Sequence, residues 1–100
     1  MLSQINYLIR SKIDGKYLVA RMPQKDNATE ASYLLLFKEH SEALSYINTH
    51  GAEFRDRLIV ESISPTHLRG LLKRWGYQGI GLVEDPLLPR ISFMYQDSYF

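Results

Sequence analysis

Five large apolar residues stand in a row at Tyr33-Leu-Leu-Leu-Phe37, and a helix begins almost directly behind them. A run this short reads as a strand, and because successive strand side chains point to opposite faces, an all-apolar strand needs cover on both. The run must therefore be central in a sheet. In a chain of 100 residues there is room for one core, so every other element has to be arranged around that strand.

The flanking segments supply the rest of the sheet. Residues 5–11 place Ile5, Tyr7 and Ile9 on alternate positions, and residues 17–22 carry Tyr17, Leu18, Val19, Ala20 and Met22. Asp14-Gly15 lies between the two runs and favours a tight turn, which predicts that strands 1 and 2 are an antiparallel pair. Pro23 ends the second strand, and residues 24–31 carry no large apolar side chain, the mark of a mobile loop. Ser41 is positioned to cap a helix over 42–50, with Glu42 in its first turn, an apolar face of Ala43, Leu44 and Ile47 with Tyr46 at its edge, and Gly51 as terminator.

Residues 57–63 form the next strand. A second helix over 64–75 follows, with Ser64 as N-cap, Pro65 in the first turn, Leu68, Leu71, Leu72 and Trp75 at helical spacing, and Gly76 at its end. Strands over 80–84 and 91–95 complete an α+β domain with the order β-β-β-α-β-α-β-β, two helices packing on a mixed sheet. No second domain, repeat or low-complexity segment interrupts it.

Charge and composition narrow the chemistry. Twelve basic against eleven acidic residues leave a net charge of +1, which argues against a main task of coating nucleic acid or an anionic membrane. With no cysteine there is no disulfide, thiol nucleophile or thiolate metal site. No run approaches the roughly 18 apolar residues of a membrane span, and the start of the chain lacks the pattern of an export signal. A cytoplasmic protein without membrane contact is expected.

His40, His50 and His67 lack the short spacing of a helix-borne metal site, and they lie at helix ends where capping accounts for them. Glu39 and Glu42 belong to a solvated helix entry, and Glu84-Asp85 to a turn. Ser64 is a cap rather than a nucleophile. Gly76, Gly79 and Gly81 reverse the dinucleotide fingerprint and follow a helix instead of opening one, so they read as helix terminator, turn residue and close-approach site. No catalytic, metal-binding or cofactor-binding residue is assigned, and an enzyme is the third reading.

From Tyr33 to Pro86 the strand ending in Phe37, the Glu42-Ala43-Leu44 helix start, the Leu68-x-x-Leu71-Leu72 helix and Gly81-Leu82-Val83 before Asp85-Pro86 resemble the N-terminal domain of the SseB-type family of small bacterial α+β domains. Asp85 stands where that family often has Asn, and the N-terminal hairpin is an addition. Over its whole length, through Leu71-Leu-Lys-Arg-Trp-Gly-Tyr77 and Asp85-Pro-Leu-Leu-Pro-Arg90, the chain is similar to a small family of cyanobacterial proteins of uncharacterised role. Both resemblances imply a fold and an interaction role, with no catalytic residue.

Two surfaces are candidates. Leu87 and Leu88 sit between Pro86 and Pro89, whose fixed φ lowers the cost of ordering a docking loop, or they fold back onto the core. With Trp75, Tyr77, Arg90, Phe93, Tyr95 and the aromatic tail to Phe100, they are the expected anchors of a protein partner or of self-association. The alternative is a nucleic-acid contact through Arg69, Lys73, Arg74 and Trp75, which combine cations with a stacking ring.

Overall fold

A computed structural model describes residues 4–23 and 30–95 and shows the expected order. The elements are β1 (Asn6–Ser11), β2 (Val19–Pro23), β3 (Glu30–Phe37), α1 (His40–His50), β4 (Leu58–Ile63), α2 (Pro65–Trp75), β5 (Gly79–Asp85) and β6 (Arg90–Tyr95), with a 3-10 helix at Ala52–Arg57 before β4. The sheet runs β4-β1-β3-β5-β6, with β2 also on β3. Among the described residues only β3 and β5 pair in parallel; β1 is antiparallel to both β3 and β4. β4 therefore runs in the direction of β3 and β5, and α1 and α2 are crossover helices.

The first crossover moves outward from β3 to β4, and the second returns past β1 and β3 to β5. Crossovers of one hand that travel in opposite directions leave their helices on opposite faces of the sheet. The core divides that way. Leu34 and Leu36 of β3 meet Leu68, Leu71 and Leu72 of α2, together with Leu8, Ile63 and Ile80. Leu35 and Phe37 face the other way, onto Ala43 and Ile47 of α1, together with Ile9 and Val83. Both faces of β3 are thus covered, and each large side chain so buried contributes about 1.5–3 kcal/mol.

α2 has the local structure its residues imply. The Ser64 hydroxyl accepts from the His67 amide at 3.3 Å, Pro65 occupies the first turn, and Gly76 closes the helix in the left-handed region at φ 69°. Leu68, Leu71 and Leu72 are buried, whereas Trp75 is half-exposed, so the apolar stripe stops one turn short of the helix end.

Several expectations are corrected. β1 and β2 are not an antiparallel pair: each is antiparallel to β3, so the two run in the same direction. β1 pairs with the end of β3 at Phe37, and β2 with its beginning from Glu30 to Leu34. The turn at Asp14-Gly15 does form, with the Ser11 amide donating to the Lys16 carbonyl and Gly15 at φ 72°, but it supports only a single bridge, Arg10 to Tyr17, before the chain turns again. Ile5 precedes β1 and is exposed. Of the expected loop 24–31, Glu30 and the buried Ala31 belong to β3, while 24–29 lie outside the described residues.

α1 begins before Ser41, because Glu39, in extended conformation, is the boundary residue whose carbonyl accepts from the Ala43 amide. No side chain caps it. His40, in its first turn, lies edge-on to Tyr7. Leu44 points to solvent, since the face toward the sheet is narrow and is filled by Ala43 and Ile47. Gly51 ends α1 at φ −138°, outside the left-handed region of a glycine terminator, and the chain continues at once into the 3-10 helix.

Candidate interaction site

Among the described residues β6 is a sheet edge, and its position depends on two glycines of β5. A Cβ on Gly79 would lie 1.9 Å from the Met94 carbonyl oxygen, so only glycine lets β6 pair there. Gly79 is therefore a strand residue under close backbone approach and not a turn residue. A Cβ on Gly81 would come within 3.3 Å of the Phe93 ring and 3.0 Å of Ile91, which is the close-approach role expected of it. These gaps set Phe93 and Tyr95 against Tyr33 of β3, with ring centroids at 5.1 and 5.9 Å in edge-to-face geometry. The three rings, with Met22, Pro23, Ala31 and Gln78, line a hollow of about 530 Å³.

Tyr33 is buried while Tyr95 is exposed. Burial raises the Tyr33 phenol above its ordinary pKa, and the neighbouring Tyr95 phenol adds to the shift. The Tyr33 hydroxyl therefore stays protonated at neutral pH, beside the rings of Phe93 and Tyr95. Tyr33 was read from sequence only as part of a core strand; its phenol at the end of the apolar run was the available signal.

At the other end of β6, the Asp85 carboxylate accepts from the Leu87 and Leu88 amides at 2.9 and 3.3 Å. This is the turn chemistry expected of an Asp before Pro. It holds both leucines away from the core, at 60% and 73% exposure. The question left open by the sequence is thereby answered: neither folds back. His50 at the end of α1 reaches the Pro86 carbonyl at 3.0 Å and ties the turn to the α1 side. Arg90 is exposed and pairs in register with Asp85.

Trp75 and Tyr77 lie elsewhere. Tyr77 packs on the α2 side of the sheet, opposite the face that carries Tyr33 and Phe93. Its ring stacks with Trp75 at 6.2 Å and 20°, and Tyr17 meets Trp75 edge-on at 5.5 Å. The expected anchors thus divide between two faces, and Tyr17 was not anticipated among them. The tail beyond Tyr95, including Phe100, lies outside the described residues.

No family model, curated protein or solved structure matches this chain. Its chemistry has to be read from the side chains themselves. Among the described residues no three His, Asp or Glu side chains gather as a metal set, and no helix is long and apolar enough to cross a membrane. A two-point ion pair joins neighbouring strands: Arg10 reaches both oxygens of Glu61 at 3.0 and 2.6 Å across β1 and β4. That contact holds the Glu61 carboxyl below its ordinary range, against a smaller opposing effect of burial.

Proposed function

We propose that this protein is a cytoplasmic, non-enzymatic interaction domain that self-associates through the outer edge of β6. The observation that carries the reading is an edge strand with exposed Phe93 and Tyr95. Natural edge strands are usually blunted by proline, lysine or an inward charge. β6, Arg-Ile-Ser-Phe-Met-Tyr, has none of these along its length and carries its one charge at its first residue. The opposite edge, β4, exposes no large apolar side chain and bears Glu61 near its middle.

A second copy fits this edge because a two-fold axis near Phe93 would run the two β6 strands antiparallel. The Arg90 side chains would then sit at opposite ends, and the Phe93 and Tyr95 rings would share one face. Sedimentation of the full chain and of Phe93→Lys at matched concentrations tests the reading. The expected result is a concentration-dependent dimer for the parent chain and a monomer for the variant. A monomer in both would contradict it.

A further inference from the structure

α2 carries a feature that the fold does not require. Gly70 stands in the middle of the helix, and a Cβ there would meet nothing within 4 Å. Its φ lies outside the left-handed region, so neither crowding nor backbone conformation calls for glycine. A mid-helix glycine is nonetheless unfavourable relative to alanine. It lines a groove of about 400 Å³ between α2 and the strands β1 and β4, where His67, Arg74, Thr66 and Tyr17 are among the other lining residues.

Charge on this helix is of one sign. Arg69, Lys73 and Arg74, with His67, are exposed, α2 contains no acidic residue, and among the described residues none of the four is in an ion pair. A helix C-terminus favours cations in its last turn, which accounts for Lys73 and Arg74 but not for Arg69. Glu61, the one carboxylate on the groove, is neutralised by Arg10. At the end of the same helix Trp75 offers an exposed ring, braced by the stacked Tyr77 and the edge-on Tyr17.

We infer that α2 binds single-stranded nucleic acid, with a base stacked on the Trp75 ring at its C-terminal end and phosphates on Arg69, Lys73 and Arg74 of its solvent face as the strand crosses Gly70. Stacking on aromatic side chains combined with a cationic track is how sequence-tolerant single-strand binding is achieved. Duplex offers no free base face to Trp75, and an acidic polypeptide offers charge but nothing to stack. The site lies on the sheet face opposite Phe93 and does not depend on self-association through β6.

Trp75 is the sole tryptophan, so its fluorescence reports the contact directly. The full chain is titrated with unstructured oligouridylate and oligothymidylate, with a blunt duplex, and with polyglutamate. The expected result is saturable quenching by both single strands, far less by duplex or polyglutamate, and a log–log salt slope of about −2 for three phosphate contacts. Lys73→Ala with Arg74→Ala should flatten that slope to about −0.7. Gly70→Gln should raise the melting temperature, through helix propensity, while weakening binding. Loss of binding in a more stable protein cannot be attributed to unfolding. Absence of quenching by either single strand in low salt, or equal binding of polyglutamate, would overturn the inference.

Discussion

Two glycines of one chain make opposite predictions, because the space around each differs. Gly79→Ala forces a methyl group onto the Met94 carbonyl, and overpacking of this kind costs about 1–3 kcal/mol or more where backbone must move. Gly70→Ala meets open space and should gain about 0.5–1 kcal/mol. Thermal denaturation of the two variants checks both signs at once. Arg10 and Glu61 give a pH dependence. The Glu61 carboxyl is lowered from its ordinary 4.5 by the Arg10 hydrogen bond, so its contribution is present above that value and is lost as pH falls through the lower folded value. Glu61→Gln should accordingly lose stability at neutral pH and show a flatter decline below pH 4.5 than the parent in urea titrations. The pair is partly exposed, so the effect is modest. Residue roles were legible where a local rule settles them, as with Asp85, Ser64 and Gly76. They were not legible at Leu44 or Tyr33, because which of several apolar side chains faces the core depends on how wide the neighbouring surface is.

Among the elements, α2 shows how much local chemistry can specify. Cap, first-turn proline, leucine spacing and terminating glycine all agree, and the helix occupies 65–75 as those signals require. Leu71 lies in its buried stripe, so Leu71→Ala should cost about 2–5 kcal/mol, measured by denaturant unfolding; a loss under about 0.5 kcal/mol would show that this face does not bear on the sheet. β1 and β2 show the limit. Asp14-Gly15 turns the chain as its residues demand, yet a turn specifies only the next few hydrogen bonds. The competing partner, β3, offers a long edge already fixed by the core, and the two strands divide that edge between them. Strand partnership is a contest between distant segments, and it leaves no mark in the residues of the turn. The 3-10 helix at 52–57 was missed for a related reason: it buries no residue, so it has no apolar period.

For the whole molecule, the account rests on a division of surfaces. The sheet is covered by α1 on one face and α2 on the other, which leaves its β6 edge and the aromatic hollow beside it as an unblunted apolar feature. The order of elements and the central place of β3 were readable in advance, since an apolar strand in a small chain admits few neighbours. That β6 would be an edge was conditional on topology, which periodicity does not determine. The most direct measurement is hydrogen exchange of the β6 amides, residues 90–95, at a low concentration and at one about a hundredfold higher, where mass action favours the dimer. Those amides of β6 that β5 leaves unpaired should gain protection at the higher concentration, by more than the general slowing that dimer-linked stabilisation gives the core amides of β3 and α2. Exchange at β6 that is independent of concentration would contradict self-association through this edge.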